Sequence, residues 1–169
     1  MINKSRREKR ILAIDPANKG FGFAVMEGPE TLIDWGIKGV KGKKSVSFLE
    51  SISGLIDQYE PDLVVFEDWS GAGSRRCKRI QEVLNGIHEL CNKKKVKARS
   101  FSRSQVRRAF SGSDASTKHQ IAQAIAQRLP ELAPRLPPFR KCWMSEDYRM
   151  NIFDAVSLGI TLSENKRTA

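Results

Sequence analysis

The sequence predicts an α/β fold: a mixed five-stranded sheet, three antiparallel strands followed by two parallel ones, flanked by helices. Three observations predict it. Near the N-terminus three short apolar runs, Ile11–Asp15, Phe21–Met26 and Leu32–Lys38, follow one another through tight turns, the pattern of an antiparallel meander. A helical repeat of apolar residues then leads into "DLVVFEDW", a continuous apolar run of strand length, as expected of a buried strand reached by a helical crossover. Beyond it, helical and strand patterns alternate before the chain ends in two helices.

Each element has a local reason. Ile11 to Ile14 are apolar on both faces, as a central strand requires, and Asp15 stands where that run ends. Pro16 cannot donate to a ladder, so the strand is expected to stop there, and Lys19–Gly20 supply the reversal. Phe48, Leu49, Ile52, Leu55, Ile56 and Tyr59 recur at helical spacing, and Pro61 ends that helix. The basic loop "GAGSRRCK" follows the fourth strand. Ile80, Val83, Leu84, Ile87, Leu90 and Cys91 form the stripe of a second helix. "KVKARSF" reads as a strand whose charges place it at an edge. A helical stretch around Val106–Phe110 precedes the turn "SGSDAS", and Thr117 to Leu129 reads as a helix opened by Thr117 and Gln120 at capping-box spacing. Pro130–Cys142 is proline-rich and basic, irregular or loosely helical, and the last helix is expected over about Asp147 to Leu162.

The 169 residues suit one domain, expected over 1–169 with a short basic extension at about residues 1–9. Hydrophobic residues make up 40% and charged residues 29%, ordinary for a globular chain, and no apolar run is long enough to span a bilayer. Cys77, Cys91 and Cys142 are scattered and odd in number, which suits a reducing cytoplasm better than a disulfide framework or a zinc site. The formal net charge of +11 points to an acidic polymer, nucleic acid before a membrane surface. The charge is clustered: "KSRREKR", "KGKK", "SRRCKR", "NKKKVKARS" and "SRSQVRR" are basic stretches between apolar segments, a wide electrostatic footprint.

Three acids stand out against that background. Asp15 and Glu67 close two central strands at the same end, so they are expected side by side. Asp15 taken alone also reads as a turn cap. Two neighbouring carboxylates repel unless a cation or a shared proton offsets them, and a hard divalent cation such as Mg²⁺ prefers such oxygens. Strand alternation sends Asp68 to the opposite face, which leaves it a reserve ligand. On the last helix Asp147, Asn151 and Asp154, spaced i, i+4 and i+7, share a face, with Ile152, Val156 and Ile160 turned to the core. Acids on a strand, strand and helix frame in a basic protein suggest two-metal phosphodiester hydrolysis.

With these residues in view, the chain resembles the RuvC family of Holliday-junction resolvases, within the RNase H-like superfamily. The resemblance rests on "ILAIDPANKGFGFAV", "YEPDLVVFEDW", "SRSQVRRAFSGSDASTKHQIAQAIAQRL" and "NIFDAVSLGITL", which follow in family order. It implies an RNase H-like fold and metal ligation by Asp15, Glu67 and Asp154, with Mg²⁺ as cofactor, two ions per site, and Mn²⁺ able to substitute. The family's other acid on the last helix falls on Asn151, a neutral ligand, for which Asp147 is the reserve. Lys118 matches a basic position beside the active site. A lysine in the first turn of a helix opposes the macrodipole, which is a local cost often found at functional sites. Arg107 matches a phosphate-holding position, with Arg103 and Arg108 as competitors. The basic loop, Arg75, Arg76, Lys78 and Arg79, is expected on nucleic acid, and Trp69 stands near the family's inserting aromatic.

The implied activity is Mg²⁺-dependent endonucleolytic cleavage of four-way or related branched DNA by a homodimer, leaving 5′-phosphate and 3′-hydroxyl ends. An RNase H-like nuclease acting on RNA or flaps, or a catalytically weak binding protein, are the alternatives. Cellular repair and phage debranching would read alike, and no residue identifies a motor-protein partner.

Overall fold

The computed structural model describes residues 7–42, 45–71 and 75–168. Most of the basic extension, part of the "KGKK" stretch and residues 72–74 of the basic loop lie outside the described residues. The strands are β1 (Arg10–Ala17), β2 (Gly20–Glu27), β3 (Leu32–Gly39), β4 (Leu63–Glu67) and β5 (Lys97–Phe101). The helices are α1 (Ser45–Tyr59), α2 (Lys78–Lys94), α3 (Arg103–Ala109), α4 (Lys118–Arg128) and α5 (Met150–Thr168). The sheet order is β3-β2-β1-β4-β5, with β1–β2 and β2–β3 antiparallel and β1–β4 and β4–β5 parallel. The fold class read from the sequence is the one observed, and the charged strand β5 lies at an edge as its lysine and arginine require.

Pro16 does not end its strand. β1 runs on to Ala17, with Pro16 opposite Phe21, while its pairing with β4 reaches only Ala13. Beyond Ala13 the strand has a free edge, where a missing N–H costs nothing.

The sheet buries both faces. Leu12, Ile14, Phe21, Phe23, Val25, Val64 and Phe66 pack with α1 and α2 on one side. Ile11, Ala13, Ala24, Met26, Leu63 and Val65 pack with α3, α4 and α5 on the other. Helix α5 is buried nearly all round, because the sheet covers one side and α3 and α4 the other. Its buried hydroxyls stay satisfied: Ser157 Oγ donates to the Asp154 carbonyl at 2.6 Å and Thr161 Oγ1 to the Ser157 carbonyl at 2.7 Å.

Such close seating needs a glycine beneath the helix start. A Cβ on Gly22 would stand 2.1 Å from the Asn151 carbonyl oxygen and 2.3 Å from its carbon. Backbone cannot yield there as a flexible side chain can. Gly22→Ala is expected to destabilise the fold by roughly 1–3 kcal/mol, read by urea denaturation, and to push the start of α5 off the sheet.

Candidate active site

Strand alternation builds the site. Ile11, Ala13, Leu63 and Val65 face α5, so Asp15 and Glu67, each two residues further on, face it too. The parallel register pairs Ala13 with Val65, and continued by two residues it sets Asp15 beside Glu67. Both are buried, at 2% and 5% exposure. Asp154, on the second turn of α5, joins them in lining one small pocket with Arg76, Arg103, Arg107 and Lys118. Asp15, Glu67 and Lys118 also line a larger cleft of about 1260 Å³, whose walls include Lys19, Arg75, Glu146, Asp147 and Asn151.

Arg76 and Lys118 donate hydrogen bonds to the three acids, and Arg103 stands by as a third cation. Arg76 Nε donates to Glu67 Oε2 at 2.5 Å, Nη2 to Asp15 Oδ1 at 2.7 Å and Nη1 to the Pro16 carbonyl at 3.1 Å. Lys118 Nζ donates to Asp154 Oδ2 at 2.9 Å and to Glu146 Oε1 at 3.0 Å. Arg103 Nε lies 3.8 Å from Glu67 Oε1. Lys118 is placed by the capping box read from the sequence: the Thr117 side chain accepts from the Gln120 N–H, and the Gln120 side chain closes it in return.

The electrostatics follow from crowding acids in a dry place. Burial and the nearby Asp154 push the Asp15 carboxyl up to about 7, against the pull of Arg76 and Lys118. Burial raises Asp154 as well, and Lys118 only partly offsets it. For Lys118 burial opposes the charge, but Asp154, Asp15 and Glu146 outweigh it and hold the ammonium above the ordinary lysine range. Burial likewise opposes the charge on Arg76, and Asp15 and Glu67 more than restore it.

Among the described residues no three His, Cys, Asp or Glu side chains stand, as they are, close enough to hold a metal ion. The guanidinium of Arg76 bridges Asp15 and Glu67, and the ammonium of Lys118 sits on Asp154. The donor chemistry fits a hard divalent cation in that three carboxylates line one pocket, and a metal loading them would have to displace Arg76 and Lys118 from their oxygens.

The start of the last helix is corrected. Asp147 is not on the helix. It precedes α5 in a turn where its carboxylate accepts from the Arg149 N–H at 2.9 Å and from Arg149 Nη2 at 2.7 Å, which lowers its pKa. A short acid beside a helix start prefers such a local bond, so Asp147 is spent as a cap. Asn151 stays in the first turn of α5, half-buried and lining the cleft. Asp68 is committed to the turn after β4, accepting from Ser70 N at 3.0 Å and Ser70 Oγ at 2.5 Å. Trp69 is half-buried: its indole packs against the core, and Nε1 donates to Asn85 Oδ1 at 3.0 Å.

The basic loop divides. Arg75 and Lys78 are exposed, and Arg75 lines the cleft. Arg76 turns inward onto the acids rather than outward. Arg79 lies over the Phe48 ring at 5.2 Å and donates to the Asn18 carbonyl at 2.6 Å, so it braces α2 against the sheet. Arg103 and Arg107 both line the pocket and the cleft, with Arg107 exposed. Glu146, the second partner of Lys118, carries no sequence signal, because it lies in irregular chain with no spacing to relate it to the helix acids.

Comparison with known proteins gives the architecture its relatives. No protein-family model matches the chain. A crossover junction endodeoxyribonuclease RuvC of Prochlorococcus marinus subsp. pastoris is 24% identical over 129 residues, 71% of this chain and 82% of that protein. The structure of Thermus thermophilus RuvC superposes with a TM-score of 0.67 at 14% identity, covering 94% of this chain and 96% of that one. The fold is RuvC-like. The same Thermus protein in complex with Holliday junction substrate also superposes with a TM-score of 0.67, at 13% identity, covering 96% and 97% of the two chains. The yeast mitochondrial Holliday junction resolvase Ydc2 does so with a TM-score of 0.63, at 13% identity, covering 94% of this chain and 79% of that one. In this RuvC-like fold Asp15 and Glu67 sit at adjacent strand ends and Asp154 on the C-terminal helix packed over them.

Proposed function

We propose that the protein is a structure-selective endonuclease that cleaves four-way or related branched DNA by phosphodiester hydrolysis, leaving 5′-phosphate and 3′-hydroxyl ends. One observation carries the reading: Asp15, Glu67 and Asp154 converge on a pocket rimmed by Arg103, Arg107 and Lys118 in a chain of net charge +11. Its RuvC-like fold and the junction-resolving activity named for its relatives support the substrate.

Each group has a task. Asp15, Glu67 and Asp154 would hold Mg²⁺, with Asn151 offering a carbonyl oxygen from the same cleft. Bound there, the metal supplies an activated water and charge stabilisation for the leaving 3′ oxygen. Lys118, kept protonated by the acids around it, faces developing negative charge on the phosphate. Arg107, Arg103 and Arg75 line the cleft wall and take backbone phosphates, which fixes the strand without reading sequence. Two matched cuts need two sites, so the working form is a homodimer, with the outer face of α2 as its interface.

A labelled synthetic four-way junction with Mg²⁺, beside linear duplex, a flap and an RNA–DNA hybrid, tests this. Paired symmetric nicks in the junction are expected. Cutting of the hybrid or flap instead would keep the chemistry and discard the junction. Binding without cleavage, even with Mn²⁺, would favour a catalytically weak junction-binding protein, the reading that neutral Asn151 and inward Arg76 favour second.

A further inference from the structure

Between the 3-10 turn Pro130–Arg135 and α5, residues 136–149 run without regular secondary structure. A structureless stretch of this length inside a packed fold is uncommon and usually has a task. Among the described residues six large apolar side chains are exposed, and four lie here: Phe139 at 74%, Trp143 at 75%, Met144 at 49% and Tyr148 at 65%. A full indole in water at such a position is a cost to the isolated protein and points to a partner.

The segment is held, not loose. Lys118 Nζ binds Glu146, the Phe139 ring meets His119 edge-on at 5.5 Å, and Arg149 pairs with Asp147. Met144 N donates to the Lys141 carbonyl at 3.0 Å and Arg140 Nη1 to the Met144 carbonyl at 2.9 Å. These bonds close a turn over residues 141–144 with Trp143 near its tip. Lys141 Nζ stands 5.2 Å from the centre of the indole ring. Ser145, Glu146, Asp147 and Tyr148 form one wall of the cleft that holds Asp15 and Glu67.

We infer that this strap is the branch-engaging element of the protein: Trp143 offers a stacking face to an unpaired base at a DNA branch, while Arg140 and Lys141 take the flanking phosphates. The occupant follows from chemistry. Both acids of the strap are already paired, to Lys118 and Arg149, so what its tip presents is basic and aromatic together. That combination suits single-stranded or splayed nucleic acid, where ring stacking and phosphate contact act at once. Trp69 is half-buried, with its ring packed on the core and its nitrogen bonded to Asn85, so it offers less free face than Trp143. The inference rests on the branched-DNA reading above.

The test uses the full-length protein in EDTA, so that no strand is cut, and a four-way junction with 2-aminopurine at the branch. The parent protein is expected to bind and change the 2-aminopurine emission. Trp143→Ala is expected to weaken junction binding about tenfold and to remove the emission change, with linear-duplex affinity and melting temperature unaltered. Trp143→Phe, which keeps a ring, is expected to retain most of both. Parent affinity and an unchanged emission response in Trp143→Ala would overturn the strap's role; if the parent with Mg²⁺ still nicks the junction, the proposed function stands without it. A parent that does not distinguish junction from duplex would overturn both. Loss of a dimer in sedimentation by Trp143→Ala, with the emission response per protomer unchanged, would make the strap a contact between copies and overturn the inference.

Discussion

Asp15→Asn is expected to lower junction cleavage by about 10²-fold or more while leaving junction affinity within about twofold, and to make the protein more stable at pH 8. The first effect follows from position. Asp15 shares its pocket with Glu67 and Asp154 and feels the charge of both, which makes it the proposed common ligand. Asparagine fills the same space and still accepts from Arg76, which leaves the cleft wall and its phosphate contacts in place.

The stability effect follows from the raised pKa of Asp15. Asp15 goes from an ordinary 3.8 to about 7 in the folded protein, so between those values the native state binds the proton more tightly than the unfolded chain. Stability therefore falls as pH rises from about 4 to about 7, and the cost is fully present above 7. At about 1.4 kcal/mol per pH unit the ceiling is about 4 kcal/mol. Because Asp154 shares in the repulsion, a gain on the order of 2 kcal/mol for Asp15→Asn is expected at pH 8, shrinking to nothing near pH 4. Urea denaturation in EDTA across pH 4 to 8, with gel cleavage and anisotropy on the same preparations, measures all three quantities. Persistent cutting by a clean Asp15→Asn preparation would falsify the assignment of the site.

What the sequence made legible was whatever depends on local periodicity. The strand-end acids could be placed because alternation along a strand is strict: two residues past Ala13 and Val65 the side chains must return to the same face. The Thr117 and Gln120 pair located the start of α4 to the residue, and with it Lys118. Asp147 escapes the i, i+4, i+7 pattern because such spacing describes a face only where the chain is already helical, and here a side chain to backbone bond holds the turn before α5. Trp69, just past a buried strand, reads as core or rim as readily as an inserting ring, and it is found half-buried with its nitrogen on Asn85 of α2. Arg76 was the least legible. Its partners are 61 and 9 residues away, and net charge shows that a loop is basic without showing which arginine folds back.

That inward arginine gives the second large effect. Arg76→Ala is expected to destabilise the protein in EDTA by about 3 kcal/mol, because it strands two buried carboxylates that shared one cation. Millimolar Mg²⁺ is expected to restore most of that loss in the variant and to change the parent much less. Arg76 and a metal compete for one seat. In the parent, any cation loading Asp15 and Glu67 must first displace a guanidinium that binds both acids and the Pro16 carbonyl. In the variant the seat is open, so the whole binding free energy appears as stabilisation of the folded state. Thermal melts against Mg²⁺ concentration, without DNA, separate the cases: a steep rise for Arg76→Ala and a shallow one for the parent. Equal slopes would mean that Arg76 and the metal do not share the acids. The same competition explains why an arginine belongs there. Held on the acids, Arg76 keeps the repelling pair together in the absence of metal.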